Sequence, residues 1–153
     1  MFWGAIGYGC HSQLVAIHRR TPSERTHEKD KLGLNSTQYC QEILGPHLLS
    51  MLNSESEVIE DGAPCHTSKE TRTYRLEHGI QRIPWPANSP DLNLIENVWA
   101  LLKHKLRKQW RNPDKRPHNR EELILAAQTA WEDLPWNRVD QYCIVLYCIC
   151  SPC

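Results

Sequence analysis

The sequence predicts an α/β domain, and three observations predict it. Short apolar and aromatic runs at Phe2 to Gly9, around Val58 and Ile59, and at Ile80 to Trp85 read as strands. In the intervening and following segments apolar residues recur at three and four, the helical period. The two kinds of segment alternate along the chain, the order that builds α/β folds. At 153 residues there is enough chain for a hydrophobic core of ordinary size.

Each element has its own local reason. Phe2 to Gly9 is apolar, and Gln13 to His18 alternates around Leu14, Val15 and Ile17, so the two form a strand pair joined near Gly9 and Cys10. Arg19 to Gly33 is polar without a period and reads as a loop. Asn35 or Ser36 caps a helix with apolar positions Cys40, Ile43, Leu44, Leu48, Met51 and Leu52. Gly45-Pro46 should kink that helix or divide it in two. The strand around Val58 and Ile59 ends at Asp61-Gly62, and Thr67 or Ser68 opens a helix that stops at Gly79 with His78 in its last turn. Ile80 to Trp85 is a strand broken by Pro84 and Pro86. A loop to Asp91 leads into a long helix, roughly Leu94 to Trp110, with Ile95, Trp99, Leu102 and Leu106 as its buried stripe. Asn119 and Glu122 form a capping box for a helix through Trp131. Pro135 ends it, and a short last element runs into a cysteine-rich end.

Composition excludes several classes. Lys plus Arg and Asp plus Glu are 18 each, with 40% apolar residues, which rules out a polycation and a disordered polyelectrolyte. The longest apolar stretch, Cys143 to Cys150, is 8 residues, too short to cross a bilayer. Met1-Phe2-Trp3 lacks the form of a signal peptide, so the chain is expected not to be secreted and its seven cysteines to be reduced thiols. Cys150-x-x-Cys153 has zinc-ligand spacing, and an apolar tail that carries thiols accounts for the same pattern. The neutral total hides a basic block. Lys103 to Arg120 carries eight Lys and Arg against Asp114, a net +7, and leaves −7 elsewhere. Such a block suits phosphate neutralisation, and it equally suits a solvated helix face.

Two acids stand out by position. Asp61 falls where a strand ends, at the carboxyl edge where α/β sheets bind ligands; Asp-Gly is also a common turn. Glu96 falls in the first turn of the long helix; three residues after Asn93, it also fits a capping box. Two carboxylates from separate elements are basic equipment for holding Mg²⁺ against a phosphodiester. Lys103 and Arg107 share the stripe of Glu96, and Lys108 and Arg111 continue the basic surface as candidate DNA contacts. His66 has two readings, a substrate contact or orderer of the Asp61 turn, or a partly buried helix-cap residue. Trp85 and Trp99 read as packing residues, and Asp91 as a turn acid.

The words around these acids carry a resemblance. Glu60-Asp61-Gly62-Ala63-Pro64-Cys65-His66-Thr67-Ser68 and Trp85-Pro86-Ala87-Asn88-Ser89-Pro90-Asp91-Leu92-Asn93-Leu94-Ile95-Glu96-Asn97-Val98-Trp99 closely resemble the two signature blocks of mariner-type DDE transposases. Between the acids lie 34 residues, the spacing of one large branch of that family. Phe2-Trp3-Gly4-Ala5-Ile6 resembles its Trp-Gly strand, and Gly33-Leu34-Asn35-Ser36 with Tyr39 its next helix start. The resemblance implies a ribonuclease-H-like mixed sheet flanked by helices, with DNA cut and joined by three carboxylates and Mg²⁺ or Mn²⁺. Asp61 matches the second carboxylate and Glu96 the third, as catalytic residues and metal ligands. It further implies DNA as partner, a homodimer in a full-length relative, no small-molecule cofactor, and a nuclear, or otherwise cytoplasmic, location.

Where the sequence departs from the family, further expectations follow. The family's first Asp lies on a strand upstream of the Trp-Gly block, and Asp30 is no substitute for it. The amino-terminal helix-turn-helix region and the Ser-Met-Pro-Arg-type segment after Tyr142 also go unmatched. The expectation is a truncated endonuclease domain at 1–142 and a divergent tail at 143–153. Its metal site should be weak and its chain inactive alone. Without the central first strand, the sheet should divide into an antiparallel pair and a parallel pair with open edges. The alternative is a non-catalytic DNA-binding remnant or domesticated protein, and a third reading is a zinc-binding interaction module.

Overall fold

Strand β1 (Phe2–Gly7) is buried along its whole length because both of its faces are covered. Side chains alternate across a strand, so Phe2 and Ile6 enter one core while Trp3 and Ala5 enter another. This is seen in a computed structural model that describes residues 1–18, 20–24, 33–84 and 93–139, and the backbone of 146–151. On the first face lie α4 (Leu94–Gln109), α5 (Arg120–Glu132) and α6 (Trp136–Val139). They bring Ile95, Trp99, Leu102 and Trp131 against Phe2, Ile6 and Leu14. The predicted stripe of α4 is the buried one, joined by Val98. On the second face, Tyr39, Ile43, Leu44, Leu48 and Cys65 cover Trp3, Ala5 and Ile17. The fold is mixed α/β, with helices on both faces of the sheet.

That sheet is continuous. Its order is β2-β1-β6-β4-β5, with β3 also pairing β1. β2 (Cys10–His11) and β3 (Val15–Ala16) are both antiparallel to β1, after a turn at Gly9 with φ of 67°. β4 (Glu57–Glu60) and β5 (Gln81–Arg82) are parallel. Between these halves runs β6 (Leu146–Ser151). It is antiparallel to β1 from Phe2↔Ser151 to Ile6↔Tyr147, and parallel to β4 from Val58↔Leu146 to Glu60↔Cys148. The expected division of the sheet is therefore corrected. The facing edges of β1 and β4 offer unpaired backbone donors and acceptors, and the apolar segment at 146–151 satisfies them.

The helix after Asn35 also differs from expectation. Asn35 does cap α1 (Ser36–Gln38), accepting from the Gln38 N–H at 2.7 Å. The chain then widens into a π-helix, Tyr39–Leu48, that carries Gly45-Pro46 within it rather than breaking there. A Cβ at Gly45 would lie 2.9 Å from the Tyr74 hydroxyl, so the absent side chain admits that close approach. Further on, α2 (Pro64–Thr67) precedes α3 (Lys69–Glu77), which Ser68 caps through the Thr71 N–H. Gly79 closes α3 with φ of 66° while the Ile80 N–H reaches back to the Arg75 carbonyl at 2.9 Å. Among the described residues no helix is long and apolar enough to cross a membrane. Asp30, Trp85, Asp91, Cys143 and Cys153 lie outside the described residues.

Candidate active site and nucleic-acid surface

Asp61 follows the last residue of β4, and its own side chain makes the turn. Its Oδ1 accepts from the Ala63 N–H at 3.0 Å, bending the chain at Gly62 into α2. The same oxygen meets His66 Nδ1 at 2.6 Å. His66 is fully buried, with its ring tilted against Tyr39 at 4.5 Å between centroids. Of its two sequence readings the structure supports the ordering of the Asp61 turn, because a fully buried ring offers no face to substrate. The Asp61 side chain is 41% exposed. Burial pushes its carboxyl up, but the His66 hydrogen bond and charge, the Ala63 N–H and Arg82 outweigh it and hold the group below its ordinary value.

Beneath this turn sits a second acid that sequence reasoning passed over. Glu60 is completely buried and ion-paired with Arg75. Tyr39 donates its hydroxyl to Glu60 Oε1 at 2.5 Å, and Arg82 Nε stands 3.4 Å from Oε2, an ion pair without hydrogen-bond geometry. Arg75 also donates to the His66 carbonyl at 2.8 Å. Arg82 donates to the backbone oxygens of Glu60 and Asp61 at 3.1 and 3.3 Å. Two guanidiniums and a phenol thus hold one buried carboxylate, and through it the end of β4. One signal was available. Glu60 shares a strand face with buried Val58, so period-two reading places it inside.

Glu96 is exposed in the first turn of α4. Asn93 stands at the N-cap position, but its side chain makes no cap bond, and its buried Oδ1 has no partner among the described residues. The capping-box reading of Glu96 therefore finds no support. α4 packs against β6, the strand beside β4. Asp61 and Glu96 share no hydrogen bond or ion pair. Among the described residues no group of three or more His, Cys, Asp or Glu is arranged to hold a metal.

The basic block is divided by the fold. Lys105 is tied to Asp133, with its Nζ 2.7 Å from the carbonyl and 3.3 Å from Oδ2, and Arg116 donates to the Trp110 carbonyl at 2.8 Å. Arg107, Lys108 and Arg111 are exposed and Lys103 is half-buried. None of these four has an ion pair among the described residues.

In a mixed α/β fold, Asp61 thus stands at the carboxyl end of a strand, Glu96 at a helix start, and a basic face of α4 lies open. The chain belongs to the DDE superfamily endonuclease family, whose model matches residues 12–119, well over half of it. It is 38% identical over 72 residues to the Tc3 transposable-element transposase of Caenorhabditis elegans, a match covering 45% of this chain and 22% of that protein. Against the Tc1 transposase of the same organism it is 30% identical over 78 residues, 51% of this chain and 26% of that one. Against the Tcb2 transposase of Caenorhabditis briggsae it is 28% identical over 81 residues, 53% and 28% of the two. The matches thus span about a quarter of the length of these relatives.

Proposed function

We propose that this is the strand-cleaving domain of a transposase, ribonuclease-H-like in fold and acting on DNA phosphodiesters with Mg²⁺ or Mn²⁺. The observation that carries the reading is the locked Asp61 turn. His66 and the Ala63 N–H fix Oδ1, and among the described residues nothing bonds Oδ2. Asp61 therefore offers one free oxygen from a rigid mount at a held-down pKa, and exposed Glu96 offers a second carboxylate. Hard carboxylate oxygens suit a divalent cation, which needs few protein ligands when substrate phosphates complete its shell. A bound cation supplies activation of the attacking oxygen and stabilisation of the leaving one. The chain's part is to present both carboxylates to the cation and to seat the DNA backbone on Lys103, Arg107, Lys108 and Arg111. DNA is the partner under this reading and the nucleus the compartment; residues 143–153 diverge from the family in sequence, while 146–151 belong to the sheet of the domain.

Residues 1–153 supply two of the three carboxylates that the family resemblance calls for, so these residues alone should bind the cation weakly and not nick DNA with Mg²⁺ or Mn²⁺. Nicking that disappears in Asp61→Ala would overturn that part of the proposal. DNA binding is tested by its salt dependence, since each phosphate contact contributes ~0.9 to the slope of log affinity against log salt. Replacing Lys103, Arg107, Lys108 and Arg111 together with Gln should flatten the slope by ~2–4. An unchanged slope would make the block a solvated face.

A further inference from the structure

Beside the Asp61 turn, where α3 meets β5, the surface opens into a groove of about 430 Å³ whose lining includes Thr67, Arg72, Arg75, Leu76, Arg82 and Pro84. Its described lining holds three arginines and no acid. The charge of Arg75 is taken up by Glu60 beneath. Arg72 is exposed, and only its Nε is engaged, donating to the Thr67 carbonyl at 3.0 Å. Its terminal nitrogens have no partner among the described residues. Arg82 is anchored through one terminal nitrogen to the carbonyls of Glu60 and Asp61, which leaves the other without one. The groove therefore presents one open guanidinium fork, that of Arg72, and beside it one terminal nitrogen of Arg82, whose charge also faces Glu60 and which is fixed to the backbone of Asp61 itself. Planar forks of this kind match phosphate oxygens. Leu76, 82% exposed, and Pro84 add apolar surface of the kind that a sugar covers.

We infer that this groove is a second phosphate site, in which Arg72 and Arg82 hold a backbone phosphate of the DNA strand next to the one placed at Asp61. It rests on the endonuclease reading above and is separate from the basic face of α4. Open on one side and tied to the Asp61 carbonyl, it sets the path of the strand past the acids rather than only raising affinity.

The test compares duplex binding between about 50 and 200 mM salt for the 153-residue chain and three variants. Arg72→Gln should lower the slope by ~0.9, so the affinity lost across that range shrinks about 3.5-fold. Arg72→Lys keeps the charge and should keep the slope, with weaker binding because the fork is gone. Lys69→Gln removes an exposed charge from the same helix and should change nothing. If Arg72→Gln leaves the slope unchanged while the fourfold α4 variant flattens it, the groove is not a DNA site and the endonuclease reading stands. If neither changes it, the DNA-binding reading itself falls. A groove that instead serves free phosphate would show thermal stabilisation by inorganic phosphate that Arg72→Gln abolishes, with no change in the DNA slope, and this too overturns the inference.

Discussion

Gly4 sits where two tryptophans converge. A Cβ there would lie 2.9 and 3.1 Å from Trp131 and 3.5 Å from Trp99. Both rings are buried, and Trp131 is pinned by its Nε1–H bond to the Ser12 carbonyl at 2.8 Å, so neither can yield freely. Gly4→Ala should therefore cost about 1–3 kcal/mol in urea unfolding, as overpacked cores do. Gly62→Ala, with nothing within 4 Å and no positive φ, should stay within ~0.5 kcal/mol. Equal effects would mean that the aromatic clamp is not rigid. The sequence flagged Trp3-Gly4 as a word but not its reason, because the residues that demand glycine lie more than ninety positions away. Cys40 is a second residue-scale case. Burial pushes its thiol up, the Thr71 hydrogen bond pulls it down, and Glu70 adds to the rise, leaving it above 9.0. A folded pKa raised in this way stabilises fully below the unfolded value and loses that contribution as pH climbs through the folded one. At about pH 8.5, iodoacetamide should modify exposed Cys10 well before Cys40, since the thiolate is the reactive form. Peptide mapping showing equal rates would contradict this.

At the scale of elements, local signals translated most directly. Asn119 accepts from the Glu122 N–H at 2.8 Å, so the cap that starts α5 is built as the sequence spells it, while Glu122 reaches back to the His118 N–H at 2.7 Å, one residue before the N-cap N–H that a capping box would use. Asn119→Ala should cost ~0.5–2 kcal/mol, measured by chemical unfolding, and a neutral result would show that packing alone sets this helix start. The stripe of α4 and the glycine stop of α3 were legible for the same reason, since the residues that decide them lie within one or two turns. The π-helix was not. Tyr74, from another helix, closes on its Gly45, and no local pattern states that. The same limit hid Arg75 and Arg82, whose partner Glu60 is named only by the fold. Asp61 and Glu96 were legible as candidates because each stands at an element's end. His66 was legible too, as a candidate orderer of the Asp61 turn, whereas Tyr39 packed against its ring became visible only in the fold.

The whole molecule depends on a pairing that the sequence did not announce. Among the described residues β6 alone joins the antiparallel part of the sheet to the parallel part, through five register pairs with β1 and three with β4. Its location is a property of the open slot as much as of the segment, and so it could not be read from residues 146–151. Removing 143–153 should expose both edges and lower the urea midpoint with loss of cooperativity. A truncated chain that unfolds like the intact one would mean that β6 adds nothing to the sheet. The same sheet fixes Asp61 at its carboxyl edge and seats α4, which carries Glu96. Whether Asp61 and Glu96 face one cation is tested by metal-directed cleavage of the protein itself. Fe²⁺ replaces Mg²⁺, ascorbate and peroxide generate hydroxyl radicals at the bound ion, and mass spectrometry locates the backbone cuts. Cuts near both Asp61 and Glu96, lost together in Asp61→Asn, are the expected result. Cuts at only one of the two, or a pattern indifferent to the substitution, would contradict a shared cation.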